Sequence, residues 1–201
     1  MRCDQESRAV FKTRWYNGAM NIRRVSERSK RDYLQLLLLA DEQEDMIDRY
    51  LGCGTMFALD IAGKTVGVCV VTDEGDRMLE IKNLAVDPAY QRRGLGRALI
   101  ESIARNAKGT YDTLQVGTGD SPLTVPFYEA CGFVRHHRIE NFFIDNYDHP
   151  IVEAGVLLKI WFTCDEAYKS LAAREPGEPG LPKRLVEHHG SGVERLSALM
   201  R

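Results

Sequence analysis

The chain has 201 residues, 44% hydrophobic and 28% charged, with a formal net charge of −2. That length suits one domain with a full core and is short for two. The near-neutral balance gives no drive towards nucleic acid or an anionic membrane. No apolar run approaches the ~20 residues of a spanning helix; the longest, Leu36–Ala40, lies inside a helical pattern. The N-terminus has no apolar signal region and carries Asp4 and Glu6, against a secretory or organellar leader. Five cysteines (Cys3, Cys53, Cys69, Cys131, Cys164) make an odd set without CxxC, which favours reduced thiols and a cytoplasmic location.

Residues 1–19 mix Arg2, Arg8, Lys12 and Arg14 with Phe11, Trp15 and Tyr16 and form no clear element. They read as a loosely ordered extension, with Met20 a candidate start and a binding arm the sharper alternative. Met20–Val25 reads as a first strand of alternating character. Ser26 or Ser29 can cap a helix running to about Ala40, with Tyr33, Leu36, Leu37 and Ala40 at helical spacing. A second helix over about Glu42–Leu51 turns Met46, Ile47 and Tyr50 inward. Its acidic face (Glu42, Glu44, Asp45, Asp48) reads as solvated, or as an attractor for a cationic substrate. Gly52 and Gly54 stop it.

Met56–Ile61 and Thr65–Thr72 flank Gly63-Lys64, a hairpin signal, and Val66, Val68, Val70 and Val71 suit a strand. A third strand, Met78–Val86, ends at Asp87-Pro88. A helix from about Gly94 to Ala107 repeats Leu95, Leu99, Ile103 and Ala107 at i+4. Leu114–Val116 is a short strand before a polar loop over Gly117–Ser121. Pro122–Ala130 is a short helix closed by Gly132. Phe133–Phe143 reads as one long strand, Asp145–Pro150 as an acidic loop and Gly155–Cys164 as the final strand. The order β-α-α-β-β-β-α-β-α-β-β predicts a mixed α/β fold. Asp165–Arg174 can form a helix, 175–182 is a Pro/Gly linker, and Lys183–Arg201 is marginally helical. The predicted organisation is an extension over 1–19, a domain over 20–164 and a mobile or marginally helical extension over 165–201.

The stretch Leu79–Ala98 organises the rest. It reads as a strand, the turn Gln91-Arg92-Arg93-Gly94-Leu95-Gly96 and the start of a helix. Glycines at the mouth of a helix let backbone approach a ligand closely. The first-turn N–H groups have no partners inside the helix and with its dipole form an anion site. Arg92, Arg93 and Arg97 add positive charge, and the simplest ligand is a phosphate or pyrophosphate. The P-loop pattern is absent, since no Lys-Ser/Thr follows Gly94 or Gly96, and the third glycine of a dinucleotide fingerprint is replaced by Leu99.

The full string resembles the Q/R-x-x-G-x-G/A pyrophosphate loop of the GNAT N-acetyltransferase superfamily, in its setting of strand, "VDP", turn and helix. A second stretch, Phe127-Tyr128-Glu129-Ala130-Cys131-Gly132-Phe133, is similar to the family's F-Y-x-x-x-G-F signature. The resemblance covers about residues 20–163. It implies a central, mostly antiparallel twisted sheet flanked by helices, and acetyl-CoA as cosubstrate without a metal. It implies that Leu84, Ala85 and Val86 hold the pantetheine arm through main-chain hydrogen bonds. It also implies that the loop Gln91–Gly96, with Arg97 beside it, holds the pyrophosphate. Tyr128 takes the place of the acid that protonates the departing thiolate. Glu80, 14 residues before Gly94, matches the glutamate that serves many histone-type members as base; a glutamate paired with Lys82, and a water chain as base, are the alternatives. In a regular strand Glu80 faces the same way as Lys82, Leu84 and Val86, a parity that a bulge would alter. Ser121 stands where the family has an asparagine on the cofactor side, and Thr124 where it has an alanine.

The implied reaction moves acetyl to a primary amine of a small molecule or peptide by direct attack in a ternary complex. A non-catalytic CoA sensor on the same fold is the alternative, and a nucleotide-phosphate binder a third reading that the missing P-loop lysine disfavours. Asp145, Asp148 and Glu153 read as a solvated loop or as the lining of a site for a cationic acceptor, and Asn141, Phe142, Phe143 and Tyr147 as core or as an aromatic wall there. Cys131 reads as a small buried hydrophobe. His136 and His137, adjacent on a strand, point to opposite faces. The resemblance further implies pairing through the last strands into a homodimer. Neither a membrane nor a nucleic-acid partner is expected.

Overall fold

A computed structural model describes residues 20–167. Strand β1 (Met20–Arg24) leads into a 3-10 helix (Glu27–Tyr33), a single α-turn α1 (Leu34–Leu37) and helix α2 (Glu44–Leu51). Three antiparallel strands follow, β2 (Thr55–Ile61), β3 (Lys64–Gly75) and β4 (Met78–Val86). A 3-10 turn at Pro88–Tyr90 precedes α3 (Leu95–Ala107). Then come β5 (Thr113–Gly119), α4 (Thr124–Cys131), β6 (Val134–Ile139), α5 (Phe142–Asn146), β7 (Val152–Glu153), β8 (Val156–Leu157) and β9 (Trp161–Ala167). The main sheet has the order β1-β2-β3-β4-β5-β9-β6; only β4 and β5 pair in parallel. No helix among the described residues is long and apolar enough to cross a membrane.

Each sheet face carries its own core. On one face Leu59, Val66, Leu79, Ile81 and Leu114 pack against Leu95, Leu99, Ile100 and Ile103 of α3 and Tyr128 of α4. On the other, Met56, Ala58, Val68, Val70 and Ala85 pack against Leu37 of α1 and Ile47 and Leu51 of α2. A third cluster joins Phe142 and Phe143 of α5 to Ile151 and Leu158. The i+4 repeat in α3 therefore faces the sheet, as its spacing requires. Lys30 is buried, and its ammonium donates to the carbonyls of Leu51 and Gly54 at the end of α2 and pairs with Glu27. This satisfies carbonyls that the helix leaves without partners.

Three elements depart from the sequence reading. The expected helix over 26–40 is mostly 3-10, with one α-turn; no side chain caps its start. The expected long strand over 133–143 is β6 followed by α5, because Asn141 takes a left-handed conformation (φ 58) and turns the chain. The expected strand over 155–164 is split: β8 pairs with β7 in a small hairpin, and β9 enters the sheet between β5 and β6. A register shift between Arg135 and His137 also brings the His136 and His137 rings to 4.2 Å, rather than onto opposite faces. Asp165–Ala167 belong to β9, while the extension over 1–19 and everything after residue 167 lie outside the described residues.

Candidate active site

Strands β4 and β5 pair only over Met78–Ile81 and Thr113–Val116. Beyond that the parallel ladder stops, while β4 continues to Val86 and β5 to Gly119. The Asp87 N–H donates to the Val66 carbonyl (2.8 Å), extending the β3–β4 register in which Val86 faces Gly67. Backbone groups alternate along an antiparallel pair. Ala85 therefore directs its N–H and C=O to β3, whereas Leu84 and Val86 direct theirs into the gap left by β5. The Val86 carbonyl accepts from Gln91 Nε2 (2.9 Å). The N–H and C=O of Leu84 and the N–H of Val86 remain for a ligand lying in the gap.

The loop after β4 delivers the second half of the site. Arg92 (φ 61) and Gly94 (φ 80) both take left-handed conformations, and Gly94 opens α3 without any side-chain cap. The first helical bond of α3 runs from Ala98 N–H to Gly94 C=O (3.0 Å). The N–H groups of Leu95, Gly96 and Arg97 thus have no partner within the helix and point out of its positive end. Side chains here are held close to home. Arg93 donates to the Ala89 carbonyl (2.9 Å) and stacks on Tyr90, and Arg97 donates to the Ala130 carbonyl (2.6 Å). The N–H groups of this first turn are the candidate anion donors, and Arg92 beside them is exposed. Gly96 lies against α4: a Cβ there would stand 3.0 Å from the Phe127 ring, which would have to give way by a few tenths of an ångström.

On α4, Tyr128 is 8% exposed and packs edge-on against Phe127 and Phe133, with ring centroids at 5.1 and 5.6 Å. The signature stretch has a local cause. Gly132 (φ 106) ends α4, the Phe133 N–H returns to the Tyr128 carbonyl (3.1 Å), and Phe133 closes on the tyrosine ring, a Schellman-type stop with its hydrophobic contact. The Ser121 hydroxyl accepts from Leu123 N–H (3.1 Å), and Thr118 donates to Thr124 Oγ1 (2.9 Å). Both departures from the family pattern are thus absorbed in holding the turn into α4.

Glu80 sits just below the point where β4 and β5 part. Its carboxylate is 2% exposed, pairs with Lys82 Nζ (3.0 Å) and accepts from Gln115 Nε2 (3.0 Å). Burial pushes its pKa up and the Lys82 charge opposes that. The β3–β4 register shifts between Val70 and Val71, leaving Lys82 as an extra residue. Glu80 consequently shares the α1/α2 face with Asn83 and Ala85, while Leu84 and Val86 lie with Ile81 on the α3 face.

That face holds a polar chain which sequence reasoning missed. Asn83 is 2% exposed, and its Nδ2 donates to the Leu37 carbonyl and the Tyr50 hydroxyl, both at 3.0 Å. The Tyr50 and Tyr147 hydroxyls are in turn hydrogen-bonded to the Asp41 carboxylate. Burial raises the Asp41 carboxyl to about 6, against a lowering hydrogen bond from the Gln43 N–H. An amide inside an otherwise apolar strand end was the available signal, since asparagine is depleted from strands. Of the acids named from the sequence, Glu42 and Asp45 act on Asp41, Asp148 bonds Gln43 and His149 beside it, Asp145 is exposed and Glu153 half-buried. Glu44 and Asp48 pair with Arg31 on the outside of α2. Among the described residues no group of His, Cys, Asp and Glu is arranged to hold a metal.

Known proteins resemble this chain in sequence and fold. Residues 52–135 match the description "Acetyltransferase (GNAT) domain". Over 134 residues the chain is 32% identical to the "Uncharacterized N-acetyltransferase YvbK" of Bacillus subtilis, covering 66% of this chain and 86% of that one. The chain belongs to the GNAT N-acetyltransferase family. Its fold is the GNAT fold. A GNAT family acetyltransferase from Elizabethkingia anophelis, solved with acetyl-CoA bound, superposes with a TM-score of 0.70 at 30% identity, over 75% of this chain and 99% of that chain. An IAA acetyltransferase from Bacillus cereus gives 0.69 at 28% identity, over 74% and 99%.

Proposed function

We propose that this GNAT protein transfers acetyl from acetyl-CoA to a primary amine by direct attack within a ternary complex. One observation carries the reading: the N–H and C=O of Leu84 and the N–H of Val86 face the gap left by β5, on the strand that leads into the uncapped start of α3. A pantetheine amide fits the first and a pyrophosphate the second. The acetyl-CoA bound to the Elizabethkingia anophelis relative supports the same choice of ligand. A cytoplasmic location belongs to this reading, consistent with Cys53, Cys69 and Cys131 as free thiols.

The amine arrives as an ammonium ion and loses one proton to a base. Its lone pair attacks the thioester carbonyl, whose oxygen is stabilised by the unpaired N–H groups of β4. The C–S bond breaks as the nitrogen gives up a second proton, and Tyr128 protonates the departing thiolate. Solvent returns the second proton to Tyr128 and takes the first from the base. Ammonium and thioester thus give amide, thiol and one proton. Glu80, another carboxylate on the same α1/α2 face, or a water chain serves as the base.

Thiol release from acetyl-CoA over a panel of amines and peptides tests the reading. Acceptor-dependent release is expected; CoA binding without it would make the protein a sensor. At Gly94 an added Cβ meets nothing within 4 Å. Gly94→Asp therefore introduces charge and local backbone strain without a clash, and is expected to weaken CoA binding at least tenfold. Undiminished binding in that variant would refute the pyrophosphate assignment.

A further inference from the structure

Two buried acceptor atoms in the described residues have no hydrogen-bond partner, Asp41 Oδ1 and Asn83 Oδ1. Buried polar atoms are ordinarily satisfied, and these two belong to one connected group. The Asn83 amide orientation is fixed, because the Leu37 carbonyl only accepts and so takes the Nδ2 side. Its oxygen is then left facing away from any donor. Tyr50 accepts from Asn83 and is hydrogen-bonded onward to Asp41, and Tyr147 reaches the same carboxylate from the end of α5. No basic side chain pairs with Asp41 among the described residues.

We propose, resting on the acetyltransferase reading above, that Asp41 and Asn83, with the Tyr50 and Tyr147 hydroxyls, receive the acceptor's ammonium group. Asp41 is the base that deprotonates it, and the acceptor class is a cationic primary amine. An ammonium carries three donors, no acceptor and a positive charge. It supplies what both orphan oxygens lack. A neutral hydroxyl acceptor brings one donor and leaves the carboxylate charge uncompensated.

Position fits the task. Asn83 precedes Leu84 on β4, so the receptor lies on the α1/α2 face just where β4 parts from β5, with the thioester-binding backbone turned to the open edge. Asp45 and Glu42 add negative charge near Asp41, Arg49 bears on Tyr147, and His149, its pKa raised by Asp148 and Glu42, is a further titratable group at this end. Burial also lowers the pKa of a bound ammonium, narrowing its gap to the carboxylate. The loops on either side are joined over the site: Gln43 hydrogen-bonds Asp148, and His149 contacts both Asp148 and Glu42. Glu80, with both oxygens engaged by Lys82 and Gln115, holds β4 to β5 below this point.

The full chain, acetyl-CoA and spermidine or n-butylamine as probe acceptors supply the test, with n-butanol as the neutral counterpart. CoA affinity is measured in parallel by calorimetry. Asp41→Asn is expected to keep CoA affinity within twofold and to lower kcat/KM for the amines at least 100-fold. It should also remove the acid limb of the pH profile near 6. Tyr147→Phe is expected to keep that limb and move it upward, because the carboxylate loses a donor. Glu80→Gln is expected to retain the limb. An Asp41→Asn enzyme with wild-type amine kinetics, or a limb that disappears in Glu80→Gln instead, would overturn the assignment while leaving the acetyltransferase reading standing. Wild-type protein that binds no CoA and releases no thiol would sink both.

Discussion

Asn83 on β4 donates its side-chain amide to the Tyr50 hydroxyl of α2 at 3.0 Å. This bond ties the central strand to the acceptor-side helix at the residue next to Leu84, where β4 leaves its parallel partner. Towards β5 the strand presents backbone groups of Leu84 and Val86 without a β-partner; the α1/α2 face carries the Asp41 carboxylate beside Tyr50 and Tyr147. The gap between β4 and β5 is where the two meet.

Asp41 gives a stability prediction with a definite sign. Its carboxyl is raised to about 6 by burial, from an ordinary value of 3.8. The folded protein holds that proton more tightly than the unfolded chain, so folding stability falls as pH rises from about 4 to about 6 and then levels off. The deficit above that window is up to about 3 kcal/mol. Asp41→Asn is therefore expected to be more stable than wild type at about pH 8, by up to about 3 kcal/mol, and close to it at about pH 4. Urea midpoints at the two pH values decide it. A variant less stable at the higher pH would mean that Asp41 serves packing rather than chemistry.

Tyr128→Phe keeps the ring that packs between Phe127 and Phe133 and removes only the hydroxyl. Turnover should fall about 100-fold, the lower end of general-acid effects, with CoA affinity and melting temperature close to wild type. Steady-state rates beside a CoA titration separate these; unchanged turnover removes Tyr128 from the mechanism.

Gly96 and Phe127 set how closely α3 and α4 approach. Gly96→Ala places a Cβ 3.0 Å from the Phe127 ring and should cost about 1–3 kcal/mol through overpacking, with weaker CoA binding as the start of α3 moves. Combining it with Phe127→Leu should recover part of the loss. A double-mutant cycle with purely additive effects would show that the contact is not the reason for the glycine.

Lys30→Met replaces a buried ammonium by an apolar side chain of similar length. The Leu51 and Gly54 carbonyls lose their donor, and about 3 kcal/mol of stability should go with it. Thermal melts measure this. The acetyl-CoA KM is expected to stay unchanged, since α2 lies on the face opposite α3.

The turn into α3 and the end of α4 were legible because their geometry is local. A left-handed glycine at a helix start, an uncapped first turn and a helix stopped at Gly132 are set by neighbouring residues in the chain. Gln91–Gly96 and Phe127–Phe133 therefore announce themselves in the sequence, as does the i+4 stripe of α3. The rest needed tertiary structure. One inserted residue in β4 reverses which face Glu80 shares with Leu84, and period-2 reasoning has no warning of it. Asn141 turns an apparently continuous strand into a strand and a helix. Asp41, Tyr50, Asn83 and Tyr147 come from four separate segments and meet only because α1, α2 and α5 close over one end of β4. The sequence by itself determined the glycine turn at a helix start that resembles the family's pyrophosphate loop. Only the folded sheet, by desolvating Asp41 and leaving two side-chain oxygens without donors, brought together the residues proposed here to receive an amine.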